Sequence, residues 1–156
     1  MDYVFDSSSF IVMGHYFPGQ FASFWRQLDS CVARGRVISV GEVFRELDRD
    51  CSRTHLRDWV QANKAIFVKP TDAETTFVAK IFAVQHFRQV VTQKQRLKGT
   101  PVADPFVVAS AAVNNRCVVT EESLKENAAK IPNICRHFQI RFVNLEGFMS
   151  QEGWQF

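Results

Sequence analysis

Four acidic positions, each beside an apolar run, are the residues of this chain best suited to chemistry. Asp6 ends Tyr3-Val4-Phe5 and is followed by Ser7-Ser8-Ser9. Glu46 lies in Val43-Phe44-Arg45-Glu46-Leu47, with Glu42 one helical turn before it. Asp104 precedes Pro105 and an apolar stretch, and Glu121-Glu122 follow Val118-Val119-Thr120. A carboxylate at the end of a buried strand is costly unless a cation or hydrogen bonds compensate it. Several of them in one fold point to a shared cation, and oxygen-only ligands select a hard divalent ion such as Mg²⁺ or Mn²⁺. Such ions serve phosphodiester cleavage.

Each acid also has a structural reading. Asp6 could cap a helix, although three serines beside it could do the same. Ser7 and Ser8, with Thr120 on the other segment, are hydroxyls able to hold the Asp6 carboxylate or a metal-bound water. Glu42 and Glu46 share one helix face; Glu42 could join the site, or Arg45 and Arg49 could make both acids a solvated ionic face. Asp104 could be an N-cap with proline at the first helical position. Glu121 and Glu122 could open a helix, where its dipole favours them.

The elements that must position these acids follow from the apolar pattern. Tyr3-Val4-Phe5, Ile66-Phe67-Val68, Cys117 to Thr120 and Ile140 to Val143 read as short buried strands. Between them, Phe21 to Val32 has helical spacing that Gly35 stops, and helices follow around Val43 to Leu47 and over His55 to Asn63. Thr71-Asp72 starts a long helix running through Val90, after which Thr92 to Thr100 reads as a polar, basic loop. Ala103 to Asn114 is another helix, and short ones follow Pro132 and Leu145. Short apolar strands alternating with helices predict an α/β fold, a mainly parallel sheet covered on both faces. In such sheets the site lies beyond the carboxyl ends of the strands. Asp6 and Glu121-Glu122 follow strand ends, and Glu46 and Asp104 are expected near helix starts facing the same crevice.

At 156 residues, 46% hydrophobic and 22% charged, the chain has the size and composition of one globular domain, 1–156. Fifteen Phe imply a core of packed rings. No apolar stretch is long enough to span a membrane and no signal peptide opens the chain, so a cytoplasmic location is expected. Cys31, Cys51, Cys117 and Cys135 form no C-x-x-C pair, and the four histidines are scattered, which speaks against zinc and for free thiols. Glycine-rich phosphate loops, nucleophile elbows and dinucleotide fingerprints are missing, so hydride transfer, kinase and serine-hydrolase readings fall away. With four acids reserved for metal, the surface is more basic than the formal net charge of +3, which suits a polyanionic substrate. Lys94, Arg96 and Lys98 are candidate phosphate contacts by charge alone, or simply a solvated loop.

Taken in order, Phe5-Asp6-Ser7-Ser8, Val43-x-x-Glu46-Leu47, Ala103-Asp104-x-x-x-x-Ala109 and Val118-Val119-Thr120-x-Glu122 resemble a PIN domain, the fold of VapC-like ribonuclease toxins. The segments around Trp25, Trp59 and Ile131 to Cys135 resemble a less studied PIN-like subfamily. The resemblance implies a three-layer sandwich and makes Asp6, Glu46, Asp104 and Glu122 the metal-binding and catalytic acids. The fourth acid departs from the commoner pattern, being Glu rather than Asp, with Glu121 an equally charged neighbour. The implied activity is Mg²⁺- or Mn²⁺-dependent endoribonuclease cleavage of RNA, with a cognate antitoxin as partner and a homodimer as assembly. The alternative is a PIN-like RNA- or protein-binding module without catalysis, which has no electrostatic reason to keep all four acids. A DNA-directed flap nuclease fits less well, because the chain is short and has no helical arch or DNA clamp.

Overall fold

The computed structural model describes residues 1–98 and 102–156, and within 85–98 only the backbone at positions 90, 91, 94–96 and 98. The described strands are β1 (Tyr3–Phe5), β2 (Val37–Val40), β3 (Phe67–Val68), β4 (Cys117–Val119) and β5 (Phe142–Val143). They form a sheet in the order β3-β2-β1-β4-β5, and every pairing is parallel. Parallel neighbours require crossovers, and helices supply them. Helix α1 (Ser7–Met13) and α2 (Ala22–Ala33) join β1 to β2, and α3 (Gly41–Asp50) and α4 (Thr54–Ala62) join β2 to β3. Three helices, α5 (Asp72–Ala83), α6 (Gln85–Lys98) and α7 (Asp104–Asn114), lead to β4; α8 (Ile131–His137) leads to β5, and α9 (Leu145–Gln151) follows it.

All three residues of β1 and of β4 are buried. Successive side chains of a strand point to opposite faces, so helices must cover both. The three-layer α/β arrangement expected from the PIN-domain resemblance is therefore the one observed, with the sheet parallel throughout its described strands. One cover is aromatic: Phe148 of α9 meets Tyr3 and Phe5 edge-on, at 4.8 and 5.0 Å between ring centroids. Such contacts add about 1 kcal/mol each to the area they bury. The four cysteines are buried free thiols, as expected. Among the described residues no helix is long and apolar enough to cross a membrane.

The sequence misled in one region. The long helix expected through Val90 breaks at Val84, which is extended at ψ 107. Ile81 and Phe87 both bury into the core. On one straight helix, six residues apart, they would point about 120° away from each other. Tertiary packing forces the bend, and neither proline nor glycine marks it. The expected polar loop after Thr92 is instead helical as far as Lys98, since Gln, Lys, Arg and Leu are strong helix formers. The side chains of Lys94, Arg96 and Lys98, the candidate phosphate contacts, lie outside the described residues.

Candidate active site

Strand order reverses at β1, because β2 and β3 lie to one side and β4 and β5 to the other. At such a switch point the crossovers leave in opposite directions and open a crevice beyond the carboxyl ends of the strands. Asp6 leaves β1 there and Thr120 leaves β4, joined by the Asp6 amide, which donates to the Val119 carbonyl at 3.1 Å. A cavity of about 280 Å³ opens over this point. Asp6, Glu46, Asp104 and Glu122 all line it, with Asp50, Ser7 and Ser8. Apolar walls come from Ile11, Leu47 and Val102, and among the described residues no Lys or Arg is in the lining.

Asp6 is the most deeply held of these acids, at 4% exposure. It caps α1, accepting the Ser9 amide at 2.9 Å. The neighbouring serines do not cap in its place; they serve it. Ser8 Oγ donates to both carboxylate oxygens, at 2.9 and 2.7 Å. Thr120 Oγ1 donates to Oδ2 at 2.6 Å. The single Ser9 hydroxyl proton lies between Asp6 Oδ1, at 2.8 Å, and the Val119 carbonyl, at 2.7 Å. Backbone amides orient these hydroxyls: Glu121 N–H donates to Ser8 Oγ at 3.0 Å and Glu122 N–H to Thr120 Oγ1 at 3.1 Å. Burial pushes the Asp6 carboxyl above its ordinary range, against the pull of the Thr120, Ser9 and Ser8 hydrogen bonds.

Glu46 sits in the middle of α3, not near its start as expected. It is buried, with Oε2 accepting from Ser7 Oγ at 2.5 Å and Oε1 from the Ala103 amide at 3.1 Å. Ala103 precedes the first residue of α7, so Glu46 satisfies a helix-start amide from across the crevice. Asp104 is accordingly not the N-cap; it is the first helical residue, with Pro105 behind it. The carboxylate there faces the positive end of α7.

The two glutamates after β4 diverge. They open no helix of their own, since residues 121–125 have no regular structure. Glu121 Oε1 accepts from the Leu145 amide at the start of α9, at 2.6 Å, and Glu121 does not line the cavity. Glu122 lines it, and its Oε2 accepts from the Ile131 amide at the start of α8, at 2.9 Å. Glu42 is likewise outside the cavity lining. It is buried, paired with Arg45 at 3.1 Å, and its Oε2 has no hydrogen-bond partner. The solvated ionic face imagined for Glu42 and Glu46 does not form, because both are buried and Arg49 pairs with Asp50 instead, at 2.8 Å. Asp50, the fifth acid of the lining, was not singled out from the sequence. At the end of a charged helix, after Arg49, it reads as an ordinary surface residue.

Among the described residues no three Asp, Glu, His or Cys side chains converge into a ready ligand cluster. Mg²⁺ does not demand one: it keeps several waters and binds through one or two carboxylates. An open cavity lined, among the described residues, by five carboxylates and no basic side chain fits an ion held that way. Asp104 and Glu122, beside the more deeply engaged Asp6 and Glu46, are the groups that would hold it.

The family model described as Domain of unknown function (DUF4411) matches residues 3–156. No curated protein matches the chain. Among solved structures, the chain is similar to the crystal structure of VapBC2 from Rickettsia felis bound to a DNA fragment from their promoter. The similarity has a TM-score of 0.49 at 12% identity and covers 92% of this chain and 98% of that chain.

Proposed function

The chain belongs to the DUF4411 family, and we propose that it is a Mg²⁺- or Mn²⁺-dependent endoribonuclease, the toxin of a toxin–antitoxin pair. The observation that carries this reading is the meeting of Asp6, Glu46, Asp104, Glu122 and Asp50 in one cavity at the strand-order switch point. Five carboxylates around one space repel one another, which a fold tolerates where a cation offsets the cost. The ion, when bound, would lower the pKa of a coordinated water and offset negative charge on the oxygens of the phosphate being attacked. The protein holds the acids in place. Thr120 and Ser8 fix Asp6, Ser7 and the Ala103 amide fix Glu46, and the Ile131 amide fixes one oxygen of Glu122. Ile11, Leu47 and Val102 wall one side against water.

On this reading the protein works on cytoplasmic RNA as a homodimer and is silenced by an antitoxin. A cavity lined by five carboxylates is suited to a guanidinium delivered by such a partner. A second reading, an inactive RNA- or protein-binding module, draws on the Asp6 network. Three hydroxyls and an amide already surround that carboxylate, and folding alone could require it.

Cleavage of mixed-sequence single-stranded RNA by purified protein, in Mg²⁺, Mn²⁺ and EDTA, decides between them. The control variant is Asp104→Asn, because Asp6→Asn would put an amide donor where a carboxylate oxygen accepts from Thr120 and Ser8. Metal-dependent cleavage lost in Asp104→Asn supports the nuclease. Inert protein with no calorimetric signal for either ion hands the reading to the binding module.

A further inference from the structure

At the opposite end of β4 and β5 lies a second cavity, of about 320 Å³, whose lining among the described residues contains no acid. Lys80 of α5, Arg116 just before β4 and Arg141 just before β5 line it. None of the three forms an ion pair with a described residue. Arg116 spends one contact on Ser110 Oγ, at 3.4 Å, and Arg141 reaches Asn115 at 3.3 to 3.4 Å. A guanidinium has five N–H donors, so most of theirs have no described acceptor.

Part of this charge has a structural reason. Helices α7 and α8 both end at the cavity, and their last turns pass into the left-handed residues Asn115 (φ 53) and Gln139 (φ 57) that line it. A helix carboxyl end carries about half a negative charge, so two of them call for about one cation. Three are present. The surplus, roughly two positive charges, matches a phosphate monoanion or dianion. Two half-buried rings, Phe77 and Phe138, also line the space and lie edge to face at 5.1 Å. Basic groups beside aromatic rings are the means by which proteins hold a phosphate and its base together. The volume falls at the small end of ligand sites, about 300–1,000 Å³.

We infer that this basic cavity binds the phosphate of a nucleotide, either a free mononucleotide or one residue of an RNA strand. It shares no lining residue with the acidic cavity and does not depend on cleavage there.

The test is binding in EDTA, with a short fluorescein-labelled single-stranded RNA followed by anisotropy and AMP followed by calorimetry. Wild type is compared with Arg116→Gln/Arg141→Gln and with Lys80→Gln, which lies on an exposed helix face; thermal melts confirm that each variant is folded. The double variant is expected to weaken binding at least about tenfold. Losing the hold on that one phosphate should also flatten the salt dependence of RNA binding by about 0.7 in log–log slope, which a merely structural role would leave unchanged. AMP binding lost with the arginines assigns the cavity to a free nucleotide. RNA binding lost without any AMP binding assigns it to a strand. Wild type that binds neither probe, or folded variants that bind both as wild type does, overturns the inference. RNA cleaved normally by a variant with unchanged binding would sink this inference alone and leave the nuclease standing.

Discussion

The two ends of β1 treat charge in opposite ways. At the carboxyl ends of β1 and β4, five carboxylates share one cavity with no basic side chain in its lining among the described residues. At the amino end of the same β1, opposite charges are matched. Tyr3 OH donates to Glu152 at 3.0 Å and to Gln151 at 3.1 Å, and Arg36 pairs with Glu152 at 2.7 Å. That network ties the first strand to the carboxyl end of α9. Burial and the adjacent Glu152 push the Tyr3 hydroxyl well above its usual pKa, so it stays a neutral donor. One end is arranged for stability, and the other gives stability up to concentrate like charge, as functional sites do.

The sharpest way to break this comparison is Asp104→Asn. Loss of one rim carboxylate should lower metal-dependent RNA cleavage by more than about 100-fold, while the melting temperature holds or rises because a repulsion has gone. A fall in both would make Asp104 part of the structural end. Asp6→Ala comes next and should cost about 3 kcal/mol in urea unfolding, from the lost cap and the stranded Thr120 and Ser8 hydroxyls. An unchanged midpoint would show that the hydroxyl network holds nothing. Glu152→Ala should cost about 2 kcal/mol, since Arg36 and Tyr3 both lose an acceptor, and should leave RNA cleavage per folded molecule as it was. Reduced cleavage in that variant would mean that the two ends are coupled.

The smallest effect is in pH. The Asp6 carboxyl is raised above its unfolded value of 3.8, so the folded state holds its proton more tightly than the unfolded chain. Its contribution is fully present below 3.8 and is lost as pH rises through the folded value. In EDTA, therefore, the stability of wild type relative to Asp6→Asn should decline on raising pH from about 4. A flat difference would mean that the Thr120, Ser8 and Ser9 hydrogen bonds cancel burial.

Most of the acidic cavity was legible in sequence for one reason. A carboxylate directly after a buried strand, or at the start of a helix packed on it, has few places to go. Asp6, Asp104 and the Glu121-Glu122 pair were placed at the crevice this way. Glu46 was found with its position on the helix misjudged, because the apolar run marks the helix but not its first residue. Local pattern could not separate Glu42 from Glu46, four residues apart on one face. Ser7 and the Ala103 amide separate them by reaching only Glu46.

The sequence by itself determined the alternation of strands and helices, the aromatic core and the acids that end up at the sheet's carboxyl edge, because apolar periodicity and strand-end polarity are local properties. Tertiary structure alone decided the rest. It chose Glu122 over its neighbour, since Glu121 is held by the amide at the start of α9 and Glu122 by the one at the start of α8. It brought Asp50 to the cavity and bent the chain at Val84. It also gathered Lys80, Arg116 and Arg141 into one basic cavity. Those positions are distant in sequence, and only the parallel crossovers, which carry each helix end back to the amino edge of the sheet, bring them together.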